Sequence, residues 1–251
     1  MSRPVVAVVV FPGSNDDHDA AWALRAVGAE PVLVWHEETA LPSSVGAVVL
    51  PGGFSYGDYL RTGAIASLAP AMGAVRAFAA AGGPVLGICN GFQILCESRL
   101  LPGALLPNRQ LEFVCRDTGV RVENSDTLFT RRCWAGQELV LPIKHGEGAW
   151  FADEGTFFRL SARGQIVLRY TEDVNGSLGR VAGVTNEVGN VMGLMPHPEH
   201  ALDPLLGSAD GGLLLAALAD AAAEHTLAVA SATAAPERRG GASPPRARAS
   251  P

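Results

Sequence analysis

Lysine is almost missing from this chain of 251 residues: Lys144 is the only one among many arginines, a bias without functional content of its own. Long apolar runs are missing too. No stretch approaches 18 consecutive apolar residues, which argues against a membrane span. The apolar start runs directly into Pro12-Gly13-Ser14-Asn15 without a basic segment or a small-x-small cleavage site, so it reads as a strand and not a signal peptide. The four cysteines show no Cys-x-x-Cys spacing and no paired histidines, so no metal site is expected. Disulfides are not expected in a cytoplasmic α/β chain either, and Cys96, Cys115 and Cys133 read as buried apolar thiols. There is no Gly-x-x-x-x-Gly-Lys-Ser/Thr sequence and no Gly-x-Gly-x-x-Gly after the first strand, so no nucleotide site is read in this chain.

The net charge of −6 is unevenly placed. Four arginines from position 236 onward stand against Glu237, a local +3, so the rest of the chain carries −9. An acidic body argues against nucleic acid as a partner. The Arg/Pro/Ala-rich segment 226–251 reads as a disordered tail beyond a domain at 4–225.

Over the first hundred residues, short β-branched runs alternate with Ala-rich amphipathic stretches. Strands are expected at 5–11, 31–35, 47–50 and 84–88, with helices at 17–27, 64–81 and 92–100. Near-continuous apolar strands separated by helices indicate a parallel sheet covered on both faces. From 112 to 170, Val and Leu alternate with Arg, Glu and Thr, as antiparallel strands with one wet face require. A strand at 191–194, a loop through Asp203 and a helix at 212–223 complete the expected elements.

Cys89 sits in Gly87-Ile88-Cys89-Asn90-Gly91-Phe92-Gln93, between an apolar strand and a helix. This is the layout of a nucleophile elbow. Glycines two residues either side remove side chains that would crowd the turn, and the helix N-terminus favours thiolate over thiol. A nucleophile needs a base and an oxyanion hole. His197 follows the strand at 191–194, at the sheet edge where α/β proteins place catalytic groups. In the extended chain around Pro196 and Pro198, His197 and Glu199 project to one side as an oriented pair. His18, His36 and His225 read as solvated or capping side chains. Gly52 and Gly53, after the third strand, and the Asn90 amide are the candidate oxyanion donors.

These pieces, in this order, resemble a class I glutamine amidotransferase. Longer stretches are similar to the family of glutaminase subunits of phosphoribosylformylglycinamidine synthase: Phe11-Pro12-Gly13-Ser14-Asn15, Gly53-Phe54-Ser55-Tyr56-Gly57-Asp58-Tyr59-Leu60-Arg61, Pro142-Ile143-Lys144-His145-Gly146-Glu147-Gly148 and Met195-Pro196-His197-Pro198-Glu199. The similarity covers about 4–222. It implies a flavodoxin-like α/β fold, a mostly parallel sheet flanked by helices with an added antiparallel segment. It also implies Cys89 as nucleophile, His197 as acid/base, Glu199 as its orienter and Gln93 near the bound L-glutamine. His145, Gly146 and Glu147 are read as a glutamine-pocket or interface segment, with a plain tight turn as the alternative.

The resemblance further implies no cofactor in this chain, ATP and Mg used by a large synthetase partner, a small bridging subunit, and a cytoplasmic setting. Another class I amidotransferase, or a cysteine hydrolase on the same fold, is the alternative reading. Asp16, Thr62 and His200 stand where that family commonly has Cys, Cys and Arg. These departures are expected to lie away from the triad, with His200 at a partner-facing rim.

Overall fold

The computed structural model describes residues 3–234. Runs of Val, Ala and Leu set the first half of its main sheet. β1 (Val5–Val10), β3 (Val45–Leu50) and β4 (Val85–Ile88) are buried almost end to end, whereas the marginal β2 (Glu30–Trp35) alternates between buried and exposed. With β11 (Val191–Leu194) they form a parallel array in the order β2-β1-β3-β4-β11. That is the flavodoxin-like order, with β11 in the fifth place.

The expected antiparallel segment is present and continues the same sheet. β10 (Val181–Thr185), β9 (Ile166–Tyr170), β6 (Val114–Val122) and β7 (Glu138–His145) follow β11 in that order, each antiparallel to its neighbour. β7 shows the one-wet-face alternation, with Leu139, Leu141, Ile143 and His145 inward. A separate antiparallel pair joins β5 (Ala104–Leu106) to β8 (Ala149–Phe151).

The helices are α1 (Asp17–Ala26), α2 (Pro70–Ala80), α3 (Asn90–Glu97), α4 (Glu154–Ala162) and α5 (Gly211–Ala234). α1 and α5 pack on each other and on the early strands, while α3 packs on β4 and β11. α2 begins six residues later than its apolar pattern suggests. Pro70 occupies its first turn and holds the preceding Ala69 extended, at ψ 146°.

The last helix corrects the expected start of the tail. Residues 226–234 continue α5, and by length and composition Gly211–Thr233 is apolar enough to cross a membrane, with mean hydropathy 1.5. Its N-terminal half is instead a core element: Leu214, Leu215, Leu218 and Ala222 are buried, and the helix lies against β3. Ala-rich sequence without a helix stop explains the extension. The remainder of the expected tail, 235–251, lies outside the described residues. The thiols divide as well. Cys96 is buried, Cys133 is half-buried, and Cys115 is exposed because the first residues of β6 are open on both faces.

Candidate active site

β4 delivers Cys89 into a sharp turn with φ 50° and ψ −104°, a left-handed conformation that L-residues rarely adopt. The turn is locked from both sides. The Cys89 amide donates to Leu194 of β11 at 2.8 Å, and the Cys89 carbonyl accepts from Phe92 and Gln93 at 3.0 and 3.1 Å as α3 starts. Both elbow glycines are sterically required. A Cβ at Gly91 would run into the Leu50 carbonyl, and one at Gly87 would stand 2.6 Å from the Gly91 carbonyl.

β11 ends beside β4 and leads to His197. The ring is fully buried, and Nδ1 lies 2.6 Å from Glu199 Oε1. A proline-containing 3-10 turn, Pro198–His200, brings the carboxylate back under the ring. Burial alone would push the imidazole pKa down. Glu199 and Cys89 outweigh that and raise it, so the buried pair favours imidazolium. The Glu199 Oε2 and His197 Nε2 atoms have no partner among the described residues, which leaves Nε2 free for a proton transfer.

The antiparallel half closes the site from a distance in sequence. The sheet folds back so that its edge strand β7 reaches the strand ends of the parallel half. The His197 amide donates to the Pro142 carbonyl at 2.8 Å, and the Cys89 thiol donates to the Lys144 carbonyl at 3.7 Å. A cavity of about 300 Å³ opens over the sulfur, lined among others by Gly53, Cys89, Gln93, Lys144, Glu147 and His197.

The proposed oxyanion donors are placed unequally. Gly53 lines the cavity, and the Gly53 and Asn90 amides find no acceptor among the described residues. Gly52 lies behind it, against the ring: a Cβ there would stand 2.7 Å from His197 Cε1. The Asn90 side chain accepts from the Ser55 amide and donates to Asp58 and Gln93, tying the elbow to the 55–58 loop.

The expected glutamine-contacting residues line the cavity, but two of them have structural duties. Gln93 spends its amide on the Glu147 carbonyl and on Asn90. His145 faces inward to Asn108 at 3.0 Å, and burial with the neighbouring His197 lowers its pKa to about 4, so it is neutral. Asn108 also accepts from the Gly148 amide and fixes the 145–148 turn, so the turn reading and the pocket reading of this segment both hold geometrically.

Sequence reasoning missed Asp58, Asn108 and Asp16. Asp58 faces Glu147 in the cavity; burial, tempered by Asn90 and reinforced by Glu147, raises it to about 6. Nothing local in the sequence marks Asn108, while Asp58 lies inside a family-like stretch that assigns it no role. The expectation that Asp16 and His200 avoid the triad is wrong. Asp16 Oδ2 is 3.7 Å from His197 Nδ1, and His200 Nε2 is 3.7 Å from Glu199 Oε1 and 3.3 Å from Asp16 Oδ1. Their neighbours come from folding, which brings the loop before α1 to the end of β11. Thr62 also reaches the cavity and donates to Glu147. His36 is packed against Tyr56 with Nδ1 2.6 Å from the hydroxyl, while His18 is exposed as expected.

One ligand atom each from Asp16, His197, Glu199 and His200 lies within 4.8 Å of the others, a spacing that a metal could use. Lys144 Nζ, 2.5 Å from Asp16 and 3.1 Å from His200, already supplies a cation there.

Comparison with known proteins agrees with this geometry. Residues 3–210 match the family of CobB/CobQ-like glutamine amidotransferase domains. A phosphoribosylformylglycinamidine synthase subunit PurQ from Rubrobacter xylanophilus is 60% identical over 217 residues, covering 86% of this chain and 98% of that relative. The PurQ of Bradyrhizobium diazoefficiens is 54% identical over 223 residues, covering 85% and 96%. The chain belongs to the PurQ family of glutamine amidotransferases. The solved structure of PurLQS from Thermotoga maritima superposes with a TM-score of 0.80 at 44% identity, covering 87% of this chain and 98% of that one. Another glutamine amidotransferase of Thermotoga maritima, at 17% identity and a TM-score of 0.57, shares the fold and covers 90% of this chain and 99% of its own. Membership makes the chain an enzyme with a glutaminase domain, and the elbow and its histidine are its candidate machinery.

Proposed function

We infer that this chain is the glutaminase subunit of phosphoribosylformylglycinamidine synthase. It hydrolyses L-glutamine to glutamate and ammonia for the conversion of formylglycinamide ribonucleotide to its amidine in purine biosynthesis. Identity of 54–60% to PurQ subunits over nearly their whole length carries the reading. A different cysteine hydrolase on this fold would not match PurQ subunits so closely or over so much of their length.

In this reading the Cys89 thiolate attacks the glutamine side-chain carbonyl, and the Gly53 and Asn90 amides hold the oxyanion. His197 gives its proton to the departing nitrogen, since an amide anion cannot leave at neutral pH. The collapse releases ammonia and leaves a glutamyl thioester. Water then attacks, losing a proton to His197, and glutamate departs as the thiolate returns. Asp58 and Glu147 are suited to the substrate's α-ammonium group. Gln93 and His145 shape the pocket, and Gly146 lines it.

Ammonia that met solvent would be protonated and lost as a nucleophile, so a tight partner is required. That partner is a PurL-type synthetase with a PurS-type small subunit, as the PurLQS assembly supports. The synthetase holds ATP and magnesium, in a cytoplasmic complex.

The decisive experiment compares Cys89→Ala with the native chain in the assembled synthase. Glutamine-dependent synthesis should be lost, and synthesis from added ammonium salt should persist. Unchanged glutamine hydrolysis would sink the mechanism, and loss of both activities would make Cys89 a structural residue.

A further inference from the structure

Asp16 stands at the N-cap of α1, where an aspartate ordinarily accepts hydrogen bonds from the first helical amides. It makes no such side-chain cap. Its buried carboxylate turns instead toward three basic groups. Oδ1 lies 2.5 Å from Lys144 Nζ and 3.3 Å from His200 Nε2, and Oδ2 lies 3.7 Å from His197 Nδ1. Nδ1 already has Glu199 at 2.6 Å, so Asp16 acts on the ring as a second negative charge and not as its hydrogen-bond partner. Gly52 makes room for this approach, because a Cβ there would overlap Asp16 Oδ2 and crowd His197 Cε1. The Asp16 amide donates to the Gly52 carbonyl at 3.3 Å, which fixes the loop against that glycine.

We propose that Asp16 is a positioning residue for His197, a second carboxylate that favours the imidazolium and whose strength Lys144 sets by holding its other oxygen. The proposal rests on the reading of His197 as the acid/base of a glutaminase. Two unmoderated carboxylates beside one imidazole would trap its proton and make it a poor acid toward the leaving nitrogen. Lys144 prevents this. It touches both halves of the chemistry, through its carbonyl at the Cys89 thiol and through its ammonium at Asp16. Burial would raise the Asp16 pKa, but His200, His197 and Lys144 together depress it well below the usual carboxylate range, so the second charge is present throughout the working pH range.

The groups facing His197 fix the design of the test. Glu199 and His200 come from its own segment, Asp16 from the loop before α1, Asp19 from α1 at 3.8 Å from His200, Lys144 and His145 from β7, and Cys89 from the elbow. The full chain carrying Cys89→Ala, so that the thiol no longer titrates with the ring, is labelled with nitrogen-15. The His197 ring nitrogens are then followed by NMR against pH. Asp16→Asn should lower the His197 midpoint by about one unit, a roughly tenfold change in proton affinity, and Lys144→Met should raise it. With Cys89 restored and the synthase assembled, Asp16→Asn should cut kcat roughly tenfold, because a ring of lower proton affinity is a weaker base toward the water that hydrolyses the thioester. KM should stay within about twofold, since Asp16 acts through His197 and not on bound substrate.

An unmoved midpoint in Asp16→Asn, or shifts of one sign in both variants, overturns the proposal. If Asp16→Asn does not fold, the direction of the Lys144→Met shift decides alone. A native chain that titrates as described but never hydrolyses glutamine in the complex would overturn the functional reading and leave the Asp16–His197 coupling standing.

Discussion

In the parallel half of the sheet, β4 and β11 run side by side and end in the segments that carry Cys89 and His197. In the antiparallel half, β7 supplies Lys144 and His145, and the turn after it supplies Glu147, to the same cavity from the sheet's far edge. The two halves bring different chemistry. The first supplies groups for bond making and proton transfer in a dry, backbone-locked setting. The second supplies charges and polar groups at the mouth. Reactive atoms sit where hydrogen bonds between adjacent strands hold them, and recognition groups sit where the sheet curls back.

If that division is right, the largest loss should follow damage to the acid/base pair of the parallel half. Glu199→Gln keeps the shape but removes the charge that orients His197. Glutamine hydrolysis by the assembled enzyme should fall roughly 10³-fold in kcat, with ammonia-dependent synthesis retained. A loss below about tenfold would show that Glu199 is not the principal partner of the ring.

Next in size is a backbone effect at the elbow. Gly→Ala inside a helix ordinarily stabilises, by about 0.5–1 kcal/mol. At Gly91 the added Cβ meets the Leu50 carbonyl of β3, so Gly91→Ala should instead destabilise by about 3 kcal/mol, read as a lower urea midpoint. Gly146→Ala, at the opposite wall, meets no atom closer than Phe113 at 3.7 Å and should stay within about 1 kcal/mol. Equal costs at the two glycines would erase the contrast between a locked and a permissive wall.

The same contrast explains what could be read from the sequence. The parallel half was legible because its signals are local. An apolar strand, an elbow with flanking glycines and a His-x-Glu spacing each fit within a few residues, so Cys89, His197 and Glu199 could be named and placed. The antiparallel strands were visible as alternation, but alternation does not say that β7 folds back onto β4 and β11. Asp16 therefore looked like a loop substitution remote from the triad, and Asn108 had no local mark at all. The end of α5 was misjudged for a different reason. The Arg, Pro and Ala richness of 226–251 reads as one disordered segment, yet its Ala-rich beginning continues the helix without a buried face.

The third test uses pH. His145 is buried and neutral, and its pKa of about 4 lies below the ordinary 6.5, so the folded state binds fewer protons than the unfolded chain between these values. Its contribution to stability is present above pH 6.5 and is lost as pH falls toward 4, about 2 kcal/mol of it by pH 5. His145→Gln keeps a polar group against Asn108 and cannot charge. Urea unfolding at pH 7 and pH 5 should show the native chain losing about 2 kcal/mol more than the variant over that interval. Identical losses would mean that the 145–148 turn tolerates the imidazolium and that the recognition wall is wetter than its packing indicates.

The smallest expected effect probes how the halves are tied together outside the site. Arg132, in the loop between β6 and β7, makes a two-pronged pair with Asp220 of α5 at 2.7 and 2.8 Å, and its neighbour Arg131 reaches Glu224 at 2.5 Å. These pairs link the antiparallel half to the helix that covers β3. Both members of the Arg132 pair are substantially exposed, so solvent and salt screen the attraction. Arg132→Ala should cost only about 0.5 kcal/mol at low ionic strength, and less in 0.5 M salt, by urea unfolding. Glutamine hydrolysis should be unchanged, because the sheet and the backbone bonds from β7 to His197 already hold the two halves in register. A drop in turnover without a matching loss of stability would show that α5 helps set the position of β7, and with it the Lys144 carbonyl at the thiol.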